Sequence, residues 1–168
     1  MERVVIIGCG GAGKSTLARQ LGEITTLPVV HLDKLFWKPG WVESSKEEID
    51  KKILAQMHQP RWIMDGNYNR TIPQRMKYCD TVIYLDFSRF ACLWGVCKRV
   101  ITSYGKVRPD MGEGCPERVD LEFLKWVWNF NAKHREHYYR LLNEAEGVQT
   151  IVLKNRRMVR RFLRSLEQ

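Results

Sequence analysis

Two kinds of stretch alternate along the chain. Short apolar runs rich in β-branched residues recur at Arg3–Ile7, Pro28–Asp33, Arg61–Asp65, Asp80–Asp86 and Val148–Leu153. Runs of that length, bounded by turn residues, predict buried strands. The stretches between them carry helical punctuation. Lys14–Leu21 opens a helix straight after a glycine-rich turn, and Ser44 with Glu47 reads as a capping box that starts a helix running to about Gln56. Ser88 caps a third helix to about Ser103, and an aromatic-rich helix covers about Glu117 to Asn143, with Leu121, Leu124, Trp128 and Leu142 as scaffolding. Met158, Phe162, Leu163 and Leu166 recur at helical spacing and predict a last helix. Strands alternating with helices predict one α/β domain over residues 1–168, a five-stranded parallel sheet with helices on both faces. Ligands of such sheets bind beyond the carboxyl ends of the strands, where Asp33, Asp65 and Asp86 are expected to stand.

The turn after the first run reads Gly8-Cys9-Gly10-Gly11-Ala12-Gly13-Lys14-Ser15 and fits G-x-x-x-x-G-K-[ST], the phosphate-binding loop. A strand feeding a helix through glycines turns backbone N–H groups inward, and the helix N-terminus adds partial positive charge. Gly8, Gly10, Gly11, Ala12, Gly13, Lys14, Ser15 and Thr16 are therefore the candidate nucleotide site. Lys14 can reach the β/γ-phosphates and Ser15 can ligate Mg²⁺. Gly8, Gly10 and Gly13 also satisfy G-x-G-x-x-G, with Asp33 at the distance a dinucleotide site uses, but that motif has no role for the Lys14-Ser15 pair.

Charge adds a second theme. With 28 Lys and Arg against 19 Asp and Glu the chain carries +9, which suits phosphate ligands or nucleic acid. Arg156, Arg157, Arg160, Arg161 and Arg164 concentrate much of it in the last helix, where a solvated amphipathic face is the plainer explanation. The five cysteines form no C-x-x-C pair, no apolar run approaches membrane-spanning length, and no signal peptide is apparent, so a reduced cytoplasmic protein, monomer or homodimer, is expected.

The order of these segments resembles the adenylate-kinase-like P-loop kinases of the nucleotide, shikimate and gluconate type: a phosphate loop, Asp33, then Trp62-Ile63-Met64-Asp65-Gly66-Asn67-Tyr68, then Val82-Ile83-Tyr84-Leu85-Asp86, then an arginine-rich stretch. More closely, His31 to Trp41, Asp65 to Tyr68, Arg108-Pro109-Asp110-Met111 and Gly114 to Arg118 resemble bacterial DNA topology modulation (FlaR-like) proteins over nearly the whole chain. The resemblance implies a three-layer P-loop NTPase fold using ATP and Mg²⁺ to phosphorylate a small-molecule acceptor. A nucleotide-gated DNA-binding role is the alternative.

The resemblance also implies roles. Asp65 matches the acid that holds Mg²⁺, although a turn-forming Asp before Gly is the competing reading. Asn67-Tyr68-Asn69 replaces the Phe-Pro-Arg of adenylate kinases and the arginine comes late, at Arg70, which argues against an AMP-type acceptor. Asp33 stands where shikimate- and gluconate-type kinases bind or deprotonate the acceptor hydroxyl; a cap or salt bridge would also explain it. Trp37, Trp41 and Tyr68 would line the acceptor pocket, if they do not simply pack in the core, and Arg70 and Arg75 could reach an acidic acceptor. The stretch of about 104–118 resembles a short lid that would bring Arg99, Arg108 and Arg118 to the transferred phosphoryl group, with a solvated loop as the alternative. Arg156 lies where related kinases hold adenine.

Overall fold

The first apolar run becomes strand β1 (Arg3–Gly8), and Val4 through Ile7 are wholly buried. In the computed structural model, which describes residues 1–167, β1 is the centre of the sheet. Helix α1 (Lys14–Thr25) follows the glycine-rich turn, and then come β2 (Val29–His31), the short helix α2 (Leu32–Phe36), a hairpin of β3 (Trp37–Lys38) and β4 (Val42–Glu43), and α3 (Lys46–Met57). The chain continues through β5 (Trp62–Asp65), α4 (Ile72–Tyr78), β6 (Thr81–Leu85), α5 (Arg89–Ser103), α6 (Leu121–Asn143), β7 (Gln149–Leu153) and α7 (Arg156–Arg164).

The five long strands run parallel in the order β2-β5-β1-β6-β7. The three central strands are covered on both faces, which is why they carry unbroken apolar runs rather than alternating, with polar residues only at their ends (Arg3, Asp65 and Thr81). The chain leaves β1 toward one edge and β6 toward the other, so a crevice opens at the carboxyl ends between them. Register levels the strand ends: Ile6 pairs with Asp65, Asp65 with His31, and Gly8 with Leu85. Leu17, Ala18 and Leu21 of α1 and Ile49, Ile53 and Met57 of α3 bury one face each at helical spacing. Each fully buried aliphatic side chain contributes roughly 1.5–3 kcal/mol.

Local chemistry shifts several boundaries. The cap of α3 is Ser45, whose hydroxyl accepts from the Glu48 amide, one residue beyond the expected pair. Ser44 is buried, and its N–H donates to the Phe36 carbonyl. Glu48 does not close a capping box either, because its carboxylate holds Lys38 and Lys52. Ser88 caps α5 as expected, accepting from the Ala91 amide. Helix α6 begins only at Leu121, capped by Asp120, because Glu117 is drawn into backbone pairing with Tyr104 and Lys106. The second strand stops at His31, so Asp33 sits in the first turn of α2 rather than at a strand end. The hairpin and α4 have no regular apolar period and escape a pattern-based reading.

Candidate active site

Burial and close packing shape the phosphate loop. A Cβ on Gly10 would strike the Phe123 ring, and one on Gly11 would strike the main chain of Cys92 on α5. Gly13 has open space around it but adopts φ 97, a conformation L side chains avoid. As N-cap of α1 it offers no side chain, and no acidic residue stands in the first turn. The first amides of α1 therefore lack the usual cap and are free to face a phosphate. Lys14 Nζ donates to the Gly8 and Cys9 carbonyls at 2.9 and 3.0 Å, which fixes its ammonium at the lip of the loop with one proton to spare.

Gly10 to Thr16 line a cavity of about 750 Å³, and Asp33, Asp65, Arg99, Arg108 and Arg156 line it as well. Gly8 lies beneath, its amide donating to Asn67 Oδ1 at 3.0 Å. Ser15 brings a hydroxyl and Asp65 a buried carboxylate to the same space. Hard oxygen donors of this kind suit Mg²⁺, and the open amides with Lys14 suit a nucleoside triphosphate. His31, absent from the sequence-based candidates, donates from Nδ1 to Asp65 Oδ1 at 2.5 Å and orients that acid. Its signal was available: it shares a strand with the approach to Asp33.

Asp33 accepts the Tyr68 hydroxyl at 2.8 Å. Burial raises the Asp33 carboxyl above its ordinary value; the Tyr68 hydrogen bond and the Lys14 charge pull it back only in part. The Tyr68 phenol is raised first by burial and then by the Asp33 charge, so it stays a donor. Asp86 is different. It stands one residue past β6, almost fully buried, and holds Arg135 through both oxygens at 2.7 to 3.1 Å and the Tyr139 hydroxyl at 2.8 Å. It lines neither cavity described here.

The lid-like stretch is docked rather than splayed into solvent. Cys115 Sγ meets the Lys38 carbonyl, the Gly40 amide donates to the Gly114 carbonyl, and a Cβ on Gly112 would strike the Trp37 carbonyl. Asp110, Met111, Cys115 and Glu117 are buried. Glu117 draws Arg99 and Arg108 together, with Nε atoms 3.1 and 2.8 Å from its Oε2. Asp110 ties Arg108 at 2.6 Å to Arg19 of α1 at 3.3 Å, clamping the stretch to the helix behind the phosphate loop. Burial alone would raise the Asp110 carboxyl, but Arg108 and Arg19 hold it below its ordinary value.

A second cavity, about 580 Å³, opens beside Asp33, Tyr68, Arg99, Arg108 and Phe123, which it shares with the first. Trp37, Trp41 and Arg118 line it, and the Arg118 guanidinium lies 5.0 Å over the Trp41 ring. Two candidates fall elsewhere. Arg70 is on the surface, paired with Asp50. Arg75 is fully buried, and burial pushes its guanidinium down to about 10. It donates to the Gly66 and Asn67 carbonyls and to Thr71, bracing the segment that carries Asn67 and Tyr68. The sequence gives no sign that Arg75 points inward. Arg156 and Arg160 reach the first cavity from α7. Among the described residues no helix is long and apolar enough to cross a membrane.

No protein-family model matches the chain. The adenylate kinase of Thermotoga petrophila is 32% identical over 88 residues, covering 51% of this chain and 39% of that enzyme, and that of Thermotoga maritima matches to the same extent. The match thus spans well under half the length of these curated relatives. A shikimate kinase from Bacteroides thetaiotaomicron superposes at TM-score 0.57 and 14% identity, over 99% of this chain and 96% of its own. A gluconokinase from Sinorhizobium meliloti 1021 gives 0.56 and 14%, over 98% and 91%, and a deoxyadenosine kinase from M. mycoides gives 0.53 and 14%, over 98% and 99%. With the sheet order and the phosphate loop, these likenesses establish the three-layer α/β fold of the P-loop kinases for this chain.

Proposed function

We propose that the protein is a small-molecule kinase that transfers the γ-phosphoryl group of ATP to an acceptor hydroxyl, as a cytoplasmic member of the adenylate-kinase-like enzymes nearest the DNA topology modulation (FlaR-like) proteins. The observation that carries the reading is the convergence of an uncapped phosphate loop, the acids Asp33 and Asp65 and several arginines, Arg99 and Arg108 among them, on one cavity, with a second cavity joined to it at Asp33. The α1 amides and Lys14 hold the triphosphate, and Arg156 packs on the base. Ser15 and Asp65, the latter oriented by His31, would hold Mg²⁺, which would supply positive charge to offset that of the phosphate oxygens. Asp33 orients the acceptor hydroxyl and takes its proton as the new oxygen–phosphorus bond forms and the bond to ADP breaks. Arg99 and Arg108 meet the charge that develops on the transferred group, held at that point by Glu117 and Asp110.

This arrangement needs little covalent chemistry from the protein, since phosphoryl transfer depends mainly on positioning and electrostatics. The docked stretch keeps competing water away from the γ-phosphate. The test is incubation with γ-labelled ATP, Mg²⁺ and a mixture of hydroxylated small molecules. Label appearing in one acceptor supports the reading; label appearing only in inorganic phosphate contradicts it.

A nucleic-acid role has one observation in its favour. Among the described residues, none of the five α7 arginines is paired with a carboxylate. Arg156 and Arg160, however, line the nucleotide cavity, which gives part of that charge another use. A gel-shift series at rising salt separates the two, because nucleic-acid binding weakens steeply as counterions compete.

A further inference from the structure

One side of α5 lies open to solvent and is apolar. Phe90, Trp94, Cys97 and Ile101 follow one another along the helix, and Tyr104 continues the line just past its end, at successive spacings of four, three, four and three residues. That spacing keeps them on a single side. Phe90 is 69% exposed, Trp94 65% and Ile101 79%. The opposite side, with Cys92 and Val96, is buried beside the phosphate loop.

Helix α6 widens the face. It returns alongside α5: Tyr104 pairs with Glu117 ahead of its start, and Phe90 meets Trp128 edge-on at 5.7 Å. Trp128 and Leu121, one heptad apart, are both exposed.

Charge is kept off the stripe. Arg99 turns inward to Glu117, Lys98 lines the nucleotide cavity, and Arg89 sits at the edge, 4.9 Å from the centre of the Trp128 ring. In a chain with 28% charged residues, a solvated helix side would carry some of them. Aromatic residues without charge are the mark of an interface centre, and an exposed patch of this kind marks an interaction site. Ligand binding does not account for it. Cys97 and Ile101 rim the second cavity, but Phe90, Trp94, Tyr104, Leu121 and Trp128 line neither cavity.

Spacing and area identify the occupant. Alternating steps of four and three form the seam of a two-helix coiled coil. The stripe also reads nearly the same in both directions about Cys97. A second α5 laid antiparallel therefore fits it, with Trp94 opposite Ile101, Phe90 opposite Tyr104 and Cys97 on the two-fold axis beside its own copy. The antiparallel order also opposes the two helix dipoles favourably. The exposed side chains leave on the order of 800 Å² open on each copy, which is what one partner contributes to a stable interface of standard size.

We propose that the chain forms a two-fold homodimer through α5 and the adjoining side of α6, with Cys97 at the axis.

Sedimentation of the full chain between about 1 and 100 µM tests it. A species of twice the chain mass should form in that range. It should persist or tighten as salt rises, because the face is apolar and the two copies carry like charge. Trp94→Glu should weaken the dimer at least about thirtyfold, with the melting curve retained and the affinity for a non-hydrolysable ATP analogue within about twofold of wild type. Leu121→Glu, on the other helix, should do the same and serves where Trp94→Glu does not fold. Copper-phenanthroline should join two chains through Cys97, which is exposed where the other four cysteines are buried; the two thiols give up their protons and pass two electrons to copper. Cys97→Ser should abolish that product, and Trp94→Glu should suppress it. A monomer throughout the range overturns the inference, whether it stays free or sediments with phosphatidylserine vesicles. So does a dimer indifferent to both charge substitutions, or one that forms no Cys97 cross-link.

Discussion

Gly95 and Gly11 meet backbone against backbone: a Cβ added to Gly95 would stand well under 3.0 Å from the Gly11 carbonyl oxygen. Gly95 lies inside α5, where alanine is intrinsically favoured by about 0.8–1 kcal/mol. The contact reverses that preference, because the atom struck is backbone and the phosphate loop must shift. Gly95→Ala is expected to destabilise the protein by roughly 1–3 kcal/mol and to weaken ATP binding by at least about tenfold. Thermal melts and nucleotide titration check this; a raised melting temperature with unchanged affinity would contradict the packing account.

Asp33 joins function to a stability cost. Its folded-state carboxyl is raised by burial, so the folded protein keeps that proton to higher pH than the unfolded chain. Stability is then lost as pH climbs from the ordinary value of 3.8 through the folded one, and stays low above it. Asp33→Asn removes the buried charge: the variant should melt higher than wild type at neutral pH, the gap should close in acid, and turnover should fall by about 10²–10⁴-fold. The rising limb of kcat/KM should lie above the ordinary carboxylate range. A variant less stable at neutral pH than in acid, relative to wild type, would contradict the sign.

His31 is a positioning residue, acting through Asp65. His31→Phe retains the ring and loses the donor, and should raise the Mg²⁺ concentration for half-maximal activity by about 10-fold or more. A purely structural role would lower the melting temperature and leave the Mg²⁺ dependence where it is.

Asp86 gives the contrast. Arg135→Ala leaves a buried carboxylate with only tyrosine hydroxyls near it and should destabilise by roughly 1–3 kcal/mol, the half-exposed arginine limiting the effect. Activity per folded molecule should be unchanged. A loss of kcat without loss of stability would move Asp86 into the site.

Much of this was legible in the sequence, for physical reasons. Strands covered on both faces must be apolar in their middles, so β1, β5 and β6 could be read, and the half-buried edge strands β2 and β7 still carry short β-branched runs; the phosphate loop is a local motif whose chemistry follows from its own residues. What escaped depends on distant partners. Arg75 and Arg70 look alike in the sequence, yet one is sealed beneath the Asn67–Tyr68 segment and the other pairs with Asp50 on the surface. Asp86 follows an apolar run in the sequence as Asp65 does, but Arg135, far along the chain, takes it over. The clamp of Arg19, Asp110, Arg108 and Glu117 joins α1 to a stretch about ninety residues further on, and no local pattern announces it.

The most direct measurement is ADP formation from Mg-ATP by the wild-type chain and by Lys14→Ala, with and without a panel of nucleosides, nucleotides, sugars and hydroxy acids. ADP formation should be stimulated by one acceptor class, with one phosphorylated acceptor made per ADP, and should fall by at least about 10²–10³-fold in Lys14→Ala while its melting curve is retained. ADP formed at the same slow rate whatever is added, or at an unchanged rate in Lys14→Ala, would contradict phosphoryl transfer to an acceptor at this site.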